Sequence, residues 1–107
     1  MKIGIIQQRC TANIAENRKK LAASIADLAR QGAQLVVLQE LHDSPYFCQT
    51  ESIAGFRHAL PIPGEATAFY AQVAKENRVV LVTSLFEHRT AGLYHNTAVV
   101  LDTDGSM

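Results

Sequence analysis

The apolar pattern predicts an α/β fold, a mixed sheet with helices on one face, and three observations carry that prediction. A β-branched run at Ile3, Ile5 and Ile6 is followed by a helix-period stripe and then by the four-residue apolar run Leu35-Val36-Val37-Leu38. Strand, amphipathic helix and buried strand make a βαβ unit, whose strands are parallel and whose crossover is right-handed. A second helix stripe and a second apolar run, Val79 to Phe86, repeat the succession. With 107 residues, 48% of them hydrophobic, the chain suits one domain over 1–107 and is too short for two.

Each element has its own signal. Lys2 to Gln8 reads as the first strand. Asn13 with Glu16 three residues later is a capping-box start. Ile14, Leu21, Ala22, Ile25, Leu28 and Ala29 then form the apolar stripe, and Gly32 is the stop. Leu35 to Leu38 is the second strand. His42 to Pro63 lacks a clean period and carries Pro45, Gly55, Pro61 and Pro63, with a short helix expected in Glu51–Leu60. Loops of that length inside a compact domain usually serve function. Ala66, Phe69, Tyr70, Val73 and Ala74 recur at helical spacing up to Asn77. Val79–Phe86 is a third buried strand. Tyr94–Leu101 is a fourth, reached through the polar link Glu87–Gly92 and therefore antiparallel to the third. Central strands apolar on both faces need cover on both, and the helices supply only one layer. Asp102-Thr103-Asp104-Gly105 is hairpin-turn chemistry that expects another strand, so we expect this to be the N-terminal part of a longer chain.

Composition narrows function. The formal net charge is zero with no block of like charges, which leaves no electrostatic footprint for nucleic acid or an anionic membrane. No apolar stretch nears the roughly 18 residues that span a bilayer, and MKIGIIQQ lacks the features of a signal peptide, so the cytoplasm is the expected compartment. Cys10 and Cys48 suit neither a metal site nor a disulfide framework. His42, His58, His88 and His95 lack ligand spacing, so no metal and no cofactor is expected.

Glu40, at the carboxyl end of the second strand, is the candidate catalytic residue. Ligands of open α/β sheets collect outside the carboxyl ends of the strands. A carboxylate walled by Val36, Leu38, Tyr46 and Phe47 would be desolvated, which raises a carboxyl pKa and suits a general base. A strand cap or a surface ion pair explains Glu40 as readily on position alone. Tyr46 is a candidate substrate-binding residue, with aromatic packing as its alternative. Glu87 is either a second acid near the site or a turn acid. Asn96 is expected to satisfy backbone groups. Cys48 is set aside as a nucleophile, because no Lys or Arg lies between it and Glu40 to acidify the thiol, and Cys10 is expected to be a small buried residue.

The run Val36-Val37-Leu38-Gln39-Glu40-Leu41 followed by Pro45-Tyr46-Phe47-Cys48-Gln49 resembles the first catalytic segment of the nitrilase, or carbon–nitrogen hydrolase, superfamily. Many members have Pro before the glutamate, and Gln-Glu-Leu with Tyr-Phe-Cys-Gln is closer to the N-carbamoylputrescine amidase branch. Ile3-Gly4-Ile5-Ile6-Gln7, Pro61-Ile62-Pro63-Gly64 and Tyr94-His95-Asn96-Thr97-Ala98 through Asp104-Gly105 fit the same family, so the resemblance covers essentially the whole chain. His42 stands where that branch often has an aromatic residue. The resemblance implies the N-terminal part of an α-β-β-α sandwich and a Glu-Lys-Cys triad. Glu40 would be the general base, with the lysine shortly beyond the Asp104-Gly105 turn and the nucleophilic cysteine further on. It also implies a small N-carbamoyl amine or amide as substrate, no cofactor, and a homo-oligomer formed through an outer helical face. Alternatives are another amidase of the superfamily such as a β-ureidopropionase, an isochorismatase-like cysteine hydrolase on a plain doubly wound sheet, and a non-catalytic α/β module. The Tyr-Phe-Cys-Gln loop after the acid disfavours the isochorismatase-like reading.

Overall fold

In the computed structural model, which describes residues 1–46 and 53–107, the strands β1 (Ile3–Ile6), β2 (Leu35–Leu38), β3 (Val80–Thr90) and β4 (Leu93–Leu101) form one sheet in the order β1-β2-β3-β4. The helices are α1 (Ile14–Arg30) and α2 (Glu65–Asn77), with a short 3₁₀ helix at Ile53–His58. β1, β2 and β3 are parallel, with Ile3 opposite Leu35 and Leu35 opposite Val80. β4 returns antiparallel to β3, with Ser84 opposite Ala98 and Phe86 opposite Asn96. The helix start forms in part as expected, since the Asn13 amide donates to Thr11 Oγ1 at 3.2 Å and not back to Glu16. Asn13 Oδ1 accepts the Glu16 amide at 3.1 Å to start α1, and Gly32, at φ 96°, turns the chain out of it.

Both helices lie on one face of the sheet. Val36, Leu38, Leu81 and Leu85 meet Leu21, Ile25, Tyr70 and Val73 there, all buried. α1 comes so close to β1 that a Cβ on Gly4 would stand 2.7 Å from Leu28 Cδ1, so glycine is what the approach tolerates. The opposite face is open. Ile3, Ile5 and Val100 are 54%, 76% and 52% exposed, and β2 and β3 alternate between buried and half-buried positions. The double burial expected of the central strands is thus met on one side only, because a single helical layer can cover only one face of a sheet.

The link expected at Glu87–Gly92 is mostly strand. β3 runs on to Thr90 and pairs with β4 as far as Leu93, with an irregularity between His88 and Thr90 and the turn at Gly92, φ 76°. Its polar residues fit a ladder because Leu60 pairs along the other edge of β3, donating to Phe86 O at 3.0 Å and accepting from His88 N at 2.9 Å. The terminal turn forms as read. Gly105, at φ 86°, donates to Asp102 O at 2.9 Å.

A sheet face with that much exposed aliphatic surface should associate. The 107-residue chain expressed by itself is expected to sediment as oligomers or aggregates. A sharply melting monomer would contradict the architecture.

Candidate active site

Glu40 follows the last ladder residue of β2 by two positions, at the carboxyl end of the parallel strands. The next residue, Leu41, is buried and takes φ 49°, the left-handed region that costs a residue with a Cβ about 1 kcal/mol. That conformation turns the chain sharply and sends its two sides in different directions. The Leu41 amide donates to Ser84 Oγ at 3.1 Å, Ser84 Oγ lies 3.1 Å from Asn96 Oδ1, and Asn96 Nδ2 donates to Glu40 Oε1 at 2.6 Å. Glu40 therefore faces the open side of the sheet and is exposed, not walled by Val36 and Leu38, which point into the helical layer. Phe47, the other expected wall, lies outside the described residues, as does Cys48. Asn96 does not serve backbone groups as expected; its amide reaches across to the carboxylate.

The other side of the turn is anchored in the helical layer by Asp43. Its carboxylate accepts from Arg18 Nε of α1 at 2.9 Å and from the Tyr70 hydroxyl of α2, and His42 Nδ1 stands 2.8 Å from it. Asn17 Nδ2, also on α1, donates to the Asp43 carbonyl at 2.8 Å and to the Thr11 carbonyl at 2.7 Å. His42 is fully buried and meets Tyr70 edge-on, ring centroids 4.9 Å apart, so it fills an aromatic position as an aromatic. Arg18 lies over the Phe69 ring at 5.9 Å and 3.6 Å from a Glu65 carboxylate oxygen. Burial alone would push the Asp43 carboxyl up. Contacts from His42, Tyr70 and Arg18 outweigh it and hold the group below the ordinary carboxylate range. Burial, and then the Asp43 charge, push the Tyr70 hydroxyl far up.

Glu87 is buried on the helical side of β3, away from Glu40. Its carboxylate accepts from Thr97 Oγ1 at 2.8 Å and from Arg89, and these contacts, Thr97 first, lower its pKa. It is a satisfied structural acid. Cys10 is half-buried. Its thiol donates to the His42 carbonyl at 3.0 Å, and burial pushes its pKa up, the opposite of what a nucleophile needs. Tyr46 is 44% exposed on the segment leaving the Asp43 turn. Along the hairpin, Tyr94 shares the face of Asn96. It stacks on Phe56 at 4.6 Å between centroids and lies 5.7 Å from Phe86, an aromatic wall that the sequence analysis did not single out. Among the described residues no group of three His, Cys, Asp or Glu side chains could hold a metal ion, and no helix is long and apolar enough to cross a membrane.

A mixed sheet with helices on one face is a shared arrangement. Residues 2–107 match the carbon-nitrogen hydrolase family. The chain is 31% identical over 107 residues to an N-carbamoylputrescine amidase of Oryza sativa subsp. japonica, covering 99% of this chain and 35% of that protein. It is likewise 31% identical to an omega-amidase of Mus musculus, covering 99% of this chain and 37% of that protein. The crystal structure of a carbon-nitrogen hydrolase from Helicobacter pylori G27 superposes with a TM-score of 0.90 at 37% identity, over 97% of this chain and 36% of that one. This chain belongs to the carbon-nitrogen hydrolase family, and it spans about a third of the length of these relatives.

The Asp43 anchor predicts a pH dependence. A carboxyl whose folded pKa is depressed contributes stability above its unfolded value, about 3.9, and loses it as pH falls through the folded value. In the full-length protein, Asp43→Asn is expected to cost roughly 3 kcal/mol at neutral pH by leaving Arg18 with only the exposed Glu65 carboxylate, 3.6 Å away, as a charge partner. The stability difference between wild type and variant should shrink as pH drops below about 4. Denaturant melts of both proteins from pH 7 to pH 2.5 check this; a difference independent of pH would contradict it.

Proposed function

We propose that Glu40 is the general base of an amidase that hydrolyses a non-peptide C–N bond, with N-carbamoylputrescine or a related N-carbamoyl amine as substrate. The observation that carries this reading is the Glu40 carboxylate held by Asn96 on the open side of the sheet, at the carboxyl end of β2. Family membership supports the reaction class. The likeness to an N-carbamoylputrescine amidase and the sequence motifs Gln39-Glu40-Leu41 and Tyr46-Phe47-Cys48-Gln49 support the substrate class.

The reading calls for a catalytic lysine and a nucleophilic cysteine beyond the residues of this chain, on later strands of the full-length protein. Glu40 takes the thiol proton and the thiolate attacks the carbamoyl carbon. The lysine stabilises the tetrahedral oxyanion, and ammonia leaves carrying the proton from Glu40. Water, deprotonated by the same carboxylate, then cleaves the thioester-like intermediate, and the carbamate released from a urea-type substrate gives the amine and CO2. An apolar chain with a terminal ammonium suits Tyr46 and the wall of Phe56, Tyr94 and Phe86, because a cation is attracted to aromatic faces. A cytoplasmic homo-oligomer acting on this small molecule, without cofactor, is part of the same proposal. This 107-residue chain by itself, lacking the lysine and cysteine, is expected to be inactive.

In the full-length protein, Glu40→Gln should keep the fold, since the amide is nearly isosteric, and should lower turnover by about 10²–10⁴. Cys48→Ala should keep most activity. Ammonia release from N-carbamoylputrescine, citrulline and the monoamide of a dicarboxylic acid, with melting temperatures alongside, tests both site and substrate. Near-wild-type rates for Glu40→Gln, or loss of activity in Cys48→Ala at unchanged stability, would overturn the site. A preference for the dicarboxylic monoamide would replace the N-carbamoyl amine by an ω-amide as substrate.

A further inference from the structure

Asn96 occupies a strand position where nothing in the ladder calls for a polar side chain. Its neighbours on the same face of β4 are Tyr94, Ala98 and Val100, and the β4 backbone is already paired with β3. Both ends of the side chain are nonetheless engaged, and its orientation is dictated by its partners. Ser84 Oγ accepts the Leu41 amide hydrogen, so the hydroxyl's own hydrogen is free to go to Asn96 Oδ1, 3.1 Å away. The remaining end of the amide, Nδ2, then meets Glu40 Oε1 at 2.6 Å. The reverse orientation would set two acceptor oxygens against each other. Donors therefore run in one direction, from the Leu41 amide through Ser84 and Asn96 to Glu40, and the chain closes on the residue next to the one where it began.

Resting on the reading of Glu40 as general base, we propose that Asn96 is a positioning residue that occupies Glu40 Oε1 and leaves Oε2 as the oxygen that takes the thiol proton. In that step the S–H bond breaks, an O–H bond forms at Oε2, and the electron pair stays on sulfur as the thiolate. Asn96 keeps its donation to Oε1 throughout, because the carbonyl oxygen of the neutral acid accepts it as the carboxylate did. Ser84 is the middle link: it holds the amide in the orientation that donates, and it ties that orientation to the left-handed turn at Leu41. The clamp fixes a flexible two-methylene side chain at an exposed strand end, where the strand itself supplies no constraint beyond Cα.

The experiment is a double-mutant cycle in the full-length protein with N-carbamoylputrescine as probe, measuring kcat and KM and a melting temperature for each variant. Misplacement of a reacting group by about 1 Å can cost about 100-fold. Asn96→Ala should lower kcat by about 10- to 100-fold with KM within about threefold. Ser84→Ala should lower it by less. The isosteric Asn96→Asp, which places a carboxylate against Glu40, should be at least as damaging as Asn96→Ala at equal melting temperature. In the Glu40→Gln background, Asn96→Ala should change the residual rate by less than about twofold, since a residue acting through Glu40 has nothing left to act on. Wild-type kcat in Asn96→Ala, or the same loss in both backgrounds, overturns the clamp while leaving Glu40 as base. Wild-type rates in Glu40→Gln overturn the base reading and the clamp with it.

Discussion

The half-buried carboxylate of Asp43 is the interaction on which the placement of this site depends. It draws Arg18 from α1, Tyr70 from α2 and His42 from its own turn to one point, and the Asn17 amide binds its backbone carbonyl. Removing a partner from such a cluster leaves a buried charge uncompensated, which is why the cluster acts as a unit. Its geometric effect is to pin the turn that follows β2 against both helices at once. Leu41 can then be held at a positive φ that an isolated leucine would avoid, with its amide tied to Ser84 on the other side. Glu40 stands between the two anchors.

That division also separates the face that holds Glu40 from the face that packs on the helices. Residues that alternate along β3 and β4 sort into two sets. Leu81, Thr83, Leu85 and Glu87 belong to the helical layer, and the Glu87 carboxylate is held there by hydrogen bonds from Thr97 and Arg89. Ser84 and Phe86 look the other way, with Ala98 opposite Ser84 and Asn96 opposite Phe86. The two acids of interest, Glu40 and Glu87, thus have opposite fates, one exposed on the open face and one held against Thr97 and Arg89 on the other.

Much of this was legible in the chain and some was not, for physical reasons. The capping pair Asn13 and Glu16, the stripe through Leu21 and Ile25, and the run Leu35–Leu38 are local signals, and each produced its element within a few residues. The acid at the end of β2 could be singled out because a strand end is a local feature. Asn17 and Asp43 could not, since a buried polar residue interrupts the apolar pattern and its partner lies 26 positions away. Asn96 and Glu40 are 56 positions apart, and only the register of β4 on β3 brings them together. The extension of β3 through Glu87 was missed because polar residues read as a turn. Its ladder is instead sustained by Leu60 on one edge and β4 on the other.

The central claim, that this turn holds Glu40 to receive a proton from a nucleophilic thiol, is tested most directly by the crystal structure of the full-length protein. The account predicts a cysteine sulfur within about 3.5 Å of Glu40 Oε2, the separation of groups poised to react. Asn96 should still sit on Oε1 and Asp43 should still be bound to Arg18 and Tyr70. A nucleophilic cysteine served by a different carboxylate, with Glu40 turned away from it, would contradict the account.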